Sequence, residues 1–206
     1  MKLKALATSV ALVATLFGVA AQADPPNFDF FGYASVPTIV GGTLTLRSVL
    51  TNNGVVPTPI ALDFTTNQYT LVVTGTLASI VGIKNYFSPA TISIYEDAIG
   101  GGTAADYASA ATFTDGTLIL SGSFDGNLER TRFTSTLGSF LGKIDFSGGT
   151  KLGDLVTPQD WPFGGGWSRS VSGIPAGYHE NWDGKIDLAP VAVEESTWGS
   201  VKDLFR

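Results

Sequence analysis

The single histidine, His179, lies in Gly177-Tyr-His-Glu-Asn-Trp-Asp-Gly184, so any imidazole chemistry in this chain runs through it. With no cysteine and no second histidine, a zinc or copper centre would need His179 with Glu180, Asp183 or Asp187, a carboxylate-heavy set that those ions disfavour. A Ser-His-Asp hydrolase would need the same imidazole, but no Gly-x-Ser-x-Gly elbow is present and nothing places a serine beside it. His179 therefore reads as a histidine in an exposed loop. Glu96, Asp97, Asp115 and Glu129 could supply paired carboxylates for glycoside cleavage, since strand ends converge. Any acidic β protein offers such pairs, so the spacing singles out no catalytic residue.

Calcium suits the chain better, because hard oxygen ligands are plentiful at turns. The candidate ligands are Glu96 with Asp97, Asp125 with Asn127, and Asp183 with Asp187, with Asp63 and Asp115 as further turn carboxylates. None follows the Asp-x-Asp-x-Asp-Gly loop pattern, so no site is specified, and solvated turn carboxylates are the better account of them. Aromatics give the best hint of binding: Trp161, Phe163, Trp167, Tyr178 and Trp182 crowd a glycine-rich region. Exposed indole and phenol faces are what sugar rings stack on, which makes Trp161, Trp167, Tyr178 and Trp182 candidate glycan contacts. The competing reading packs these tryptophans into the core. Gly164-Gly165-Gly166 is not a phosphate loop, since no Lys-Ser/Thr pair follows it.

The elements that must position these groups are strands. Thr117–Phe124 lies between the turn signals Asp115-Gly116 and Asp125-Gly126-Asn127. Its alternation puts Leu118, Leu120, Gly122 and Phe124 on one face and Thr117, Ile119, Ser121 and Ser123 on the other. Thr43–Thr51, Gln68–Leu77, Thr91–Asp97 and Ser139–Phe146 alternate likewise, and Leu128–Leu137 reads as a polar-faced strand carrying Arg130 and Arg132. Phe28–Tyr33 is an aromatic-dense opening that packs on the core. Thr103–Ala110 suggests one or two helical turns. From Leu152 to Asp187 the pattern weakens, and Trp161–Trp167 reads as part of a long functional loop. Short strands with glycine-rich turns and almost no helix predict an all-β domain over residues 24–188, an antiparallel two-sheet sandwich of jelly-roll type, with a closed barrel as runner-up.

Met1-Lys2-Leu3-Lys4, the apolar run Ala5–Ala20 and the small-x-small Ala21-Gln22-Ala23 predict a leader, residues 1–23, cleaved before Asp24. The expected product is secreted, extracellular or at the cell surface, or periplasmic, with no transmembrane segment after cleavage. Without cysteine it has no disulfide framework, thiolate metal site or lipid-attachment box. Losing two lysines leaves ten basic against eighteen acidic residues, a net charge of about −8. That balance argues against nucleic acid and anionic membranes, whose recognition needs basic patches. Residues 189–206 read as a linker and a short amphipathic helix. Trp198, Val201, Leu204 and Phe205 on one side of that helix either close the domain or dock to a partner.

Gln68-Tyr-Thr-Leu-Val-Val-Thr-Gly75, Thr91-Ile-Ser-Ile-Tyr-Glu-Asp97, Phe113-Thr-Asp-Gly-Thr-Leu-Ile-Leu-Ser-Gly122 and Gly177–Gly184 resemble segments of exported bacterial β-sandwich proteins, some with a PEP-CTERM-type sorting tail. The resemblance lies in strands and turns and does not reach the tail, where no Pro-Glu-Pro, apolar span or basic terminus occurs. It implies a surface or matrix role and transfers no functional residue. The expectation is an exported surface or extracellular-matrix protein without catalytic activity, a structural or adhesive module that needs no cofactor, with calcium as an option. Its partner would be a polysaccharide or a surface or matrix protein. The alternatives are a carbohydrate-binding module using the loop tryptophans, or a carboxylate-dependent enzyme acting on polysaccharide.

Overall fold

A computed structural model describes residues 26–52, 56–170 and 172–188. Alternating apolar residues become nine strands: β1 Asn27–Ser35, β2 Thr43–Thr51, β3 Asn67–Val81, β4 Lys84–Ala98, β5 Thr117–Phe124, β6 Leu128–Arg132, β7 Leu137–Gly148, β8 Trp161–Ser168 and β9 Glu180–Asp187. Every pairing is antiparallel, and from β1 to β9 each joins neighbours in sequence, except that β6 follows β5 in a single position between β4 and β7 and that the last strand pairs with the first. β9 returns to β1 over eight paired positions, Asn27 to Ala34 against Asp187 to Glu180. That seam closes the sheet into an eight-position up-and-down barrel rather than the expected two-sheet sandwich. Inward-outward alternation is the same in both architectures, and only the β1–β9 pairing distinguishes them. Register shifts at Gly75, Leu77 and Ser79 in β3 add the local twist and bending that closure needs.

The barrel is filled by its own side chains. Phe28, Phe30, Phe140, Phe163, Trp161 and Trp182 are all fully buried. Phe140 stacks on Trp182 with ring centroids 4.2 Å apart, and Phe30 on Phe163 at 5.2 Å. Gly165 and Gly184 make the room: a Cβ on either would run into the Phe140 ring. Outward positions carry Thr43, Thr74, Thr91, Ser123, Lys143 and Lys185, so the wall is polar outside and apolar inside, the reverse of a lipid-facing barrel. No helix among the described residues is long and apolar enough to cross a membrane.

Two ends follow from the up-and-down order. The upper end carries the β1–β2, β3–β4, β6–β7 and β8–β9 connections. The lower end carries the β2–β3, β4–β5 and β7–β8 loops, together with the points where the chain enters and leaves, where the Leu188 N–H bonds the Pro26 carbonyl at 3.2 Å. At the lower end Asp63 accepts from Thr65 and Thr66, and those bonds hold its carboxyl at about 2. The β4–β5 loop folds back along the outer wall, where Thr70 donates to the Phe113 carbonyl. The expected helix at Thr103–Ala110 is replaced by a 3-10 turn at Ala110–Phe113. The expected leader, and the expected C-terminal helix with Trp198, Val201, Leu204 and Phe205, fall on residues outside those described.

Candidate functional site

Inward positions of β6, β8 and β9 converge at the upper mouth. Arg130, Trp167 and Glu180 are buried there, each on a different strand. Arg130 grips the Glu180 carboxylate with two bonds, Nε to Oε2 at 2.9 Å and Nη2 to Oε1 at 2.5 Å. Arg169 adds Nε at 3.0 Å and Nη2 at 2.9 Å to Oε1, and the Trp182 indole N–H donates to Oε2 at 3.1 Å. The Arg130 guanidinium also lies 3.7 Å from the centre of the Trp167 ring, a cation–π contact. Trp167 fits because its neighbour is Gly138, where a Cβ would collide with the indole, and its own N–H bonds the Thr131 carbonyl at 2.9 Å. One carboxylate thus compensates two guanidiniums, and only Arg169 of the pair is half-exposed.

Above this layer opens a pocket of about 210 Å³, into which Arg130, Arg132 and Arg169 face beside Pro37, Ile83 and Asn85. Arg132 is exposed and has no ion-pair or hydrogen-bond partner for its side chain among the described residues. Around the pocket stand Ile39, Val40, Ile80, Val81, Ile83, Phe133 and Leu137, between 46 and 76 % exposed and all on the upper connections or the strand ends beside them. Most of the large exposed apolar side chains of the described barrel are therefore collected at one end. Lys84 adds a further cation, paired with Glu129 at 2.8 Å; the pairing raises the lysine and lowers the glutamate. Lys84, Arg130, Arg132 and Arg169 outnumber Glu129 and Glu180, whereas Asp63, Glu96, Asp97, Asp115, Asp154 and Asp187 mark the lower end. An acidic chain thus carries a cationic, apolar crown, a segregation that net charge conceals.

The candidate residues read from sequence are dispersed. Trp161, Trp167 and Trp182 are core residues. Trp161 packs on Phe28 and Phe146 and donates to the Thr157 carbonyl, so none of the three offers a face to a sugar ring, contrary to the expectation for these positions. The reason is that Trp161–Trp167 is a strand, not a loop: Trp161, Phe163, Gly165 and Trp167 share the inward phase. Tyr178 lies outside the barrel, in an aromatic group with Tyr33 and Tyr107, and its hydroxyl accepts from Arg47 at 3.2 Å. Burial, with the neighbouring phenols of Tyr33 and Tyr178, pushes the Tyr107 hydroxyl up. His179 is exposed and structural: its Nδ1 accepts the Val36 N–H at 3.0 Å, which ties the β1–β2 connection to the β8–β9 connection.

Glu96 and Asp97 lie at the end of β4, where Glu96 pairs with Lys151 at 3.1 Å. Asp125 and Asn127 occupy the break between β5 and β6, and Asp183 and Asp187 are four residues apart on the outer face of β9. Among the described residues no three His, Asp or Glu side chains are gathered as a metal cage. Of the carboxylates weighed for catalysis, Glu96, Asp97 and Asp115 are at the lower end and Glu129 faces outward toward the upper end.

A second concave surface runs along the outer wall. Gly164 and Gly166 leave β8 without outward side chains there, and Leu141 on one side with Asp183 and Lys185 on the other make walls. At its upper part the Asn181 carboxamide oxygen is buried without a hydrogen-bond partner. Compared with protein-family models, curated proteins and solved structures, the chain matches none of them.

Proposed function

We propose that this chain is an exported bacterial surface or extracellular-matrix protein that works without catalysis, as an adhesive module whose binding end is the upper crown. The observation that carries this reading is the collection of exposed apolar side chains and unbalanced arginines at one end of a closed barrel. Exposed apolar patches rimmed by polar groups mark interaction surfaces, because a soluble domain gains nothing by leaving them in water. A barrel filled by its own side chains serves as a stiff support for such an end. The described chain enters at Pro26 and leaves at Leu188, at the end opposite the crown.

A second reading is carbohydrate binding on the outer groove over β8. It is favoured by the unpartnered Asn181 oxygen beside Asp183, with half-exposed Phe31 paired to Asp183 across the β1–β9 seam. Polar groups that fix sugar hydroxyls beside an aromatic face make up such a site. The two readings separate in one experiment: retention of the exported chain on isolated bacterial envelopes and on insoluble polysaccharides, with calcium and with chelator. The adhesive reading expects Ile39→Ser/Phe133→Ser to lose retention and Phe31→Ala/Asp183→Ala to keep it. Retention on one polymer that depends on Phe31 and Asp183 but not on the crown would give the site to the groove.

A further inference from the structure

We propose that the partner of the crown is the interface of an anionic phospholipid bilayer, with lipid phosphate groups held by Arg132 and its neighbours in the mouth pocket; this rests on the adhesive reading above. Three features of the upper end point to lipid. The apolar side chains project from three separate connections and the strand ends beside them instead of forming one flat face: Ile39 and Val40, then Ile80, Val81 and Ile83, then Phe133. Isolated aliphatic and aromatic tips suit entry into the headgroup and acyl boundary, which has no shape to match. The cations lie beside the tips: the Arg132 N–H bonds the Ile83 carbonyl at 2.9 Å and its side chain has no partner among the described residues, and Arg169 is half-exposed with its charge shared on Glu180. Phosphate oxygens would meet these guanidiniums as the neighbouring tips enter the headgroup region, and guanidinium forks match phosphate bidentately.

The third feature is orientation. The lower end is acidic, so an anionic surface repels it and attracts the crown, and the barrel would stand with its upper end down. A second copy is the competing occupant, with the cationic crown seated on the acidic lower end. That socket is also where the chain enters and leaves, at Pro26 and Leu188, so a docked copy would share it with both terminal segments. The overall acidity of the chain does not oppose the proposal, because membrane attraction is set within a Debye length of the contact, about 8–10 Å at ordinary salt.

The test is co-sedimentation of the exported full-length chain with phosphatidylcholine vesicles containing phosphatidylglycerol, and with phosphatidylcholine alone. Binding is expected to the anionic vesicles, to fall with added salt, and to be weaker on the zwitterionic ones. Arg132→Ala, which removes an exposed side chain without a partner among the described residues, should weaken it about fivefold. Ile39→Ser/Phe133→Ser should weaken it by about tenfold or more, and Ile99→Ser/Val156→Ser at the lower end should leave it unchanged. No binding to anionic vesicles, or binding indifferent to the crown, overturns the proposal, as does crown-dependent self-association in sedimentation velocity without vesicle binding. If vesicles fail while retention on envelopes still depends on Ile39 and Phe133, the lipid partner is refuted and the adhesive end stands. If both fail, both readings fall.

Discussion

Glu180 is a fully buried carboxylate whose charge is met by the forked guanidinium of Arg130, the edge of Arg169 and the indole N–H of Trp182. Burying the pair is costly, and the geometry offsets that cost only while both partners remain. Glu180→Ala should therefore destabilise the barrel by about 3–5 kcal/mol, because Arg130 is left charged and dry. The double variant Arg130→Met/Glu180→Leu should recover most of the loss, and urea unfolding of the three proteins side by side checks both expectations. If the double variant is as unstable as the single, the ion pair contributes more than its own compensation. None of this was legible in sequence. Arg130 reads as one of two arginines on a polar-faced strand, and Glu180 as a possible companion of His179; the partners are 50 residues apart and meet only through closure. The reading of His179 as an exposed loop residue came from the absence of companions, and its bond to the Val36 N–H adds a structural role that one sequence cannot show.

At the scale of elements, β8 is the most instructive. Its glycine run reads as loop because glycine weakens strand propensity, yet Trp161, Phe163, Gly165 and Trp167 follow at a spacing of two, a strand signal that the glycines mask. The faces of β8 give a direct check. Gly165→Val sets a side chain against the Asp183 carbonyl, the Gly184 backbone and the Phe140 ring, and should cost about 1–3 kcal/mol. Gly164→Ala and Gly166→Ala meet only ordinary contacts at 3.5 and 3.7 Å and should stay within about 0.5 kcal/mol of the parent. Thermal unfolding of the three would show whether β8 is a strand with two faces or a loop, in which position 165 would be no more sensitive than 164. Strands with regular alternation were legible to the residue, as Thr43–Thr51 shows. Phase was lost where bulges intervene: the register shift between Ile94 and Tyr95 buries both Ile119 and Leu120 and turns Leu118 outward, against strict alternation in β5.

For the whole molecule, the all-β antiparallel class was legible and the closure was not, since no local pattern states that the last strand meets the first. The crown was hidden for a similar reason. Ile39, Ile83 and Phe133 are scattered over the sequence, and only the up-and-down order brings them to one end with Arg132 and Arg169. Net acidity pointed away from anionic surfaces because composition carries no information about segregation. The central claim is that this end makes the contact, and the absence of cysteine allows it to be tested at single sites. Val40→Cys at the crown and Ile99→Cys at the lower end would each be labelled with an environment-sensitive fluorophore, and iodide quenching measured before and after adding isolated bacterial envelopes. Protection at position 40 with position 99 still open to iodide is the expected result. Protection at 99 with position 40 left open would contradict the account.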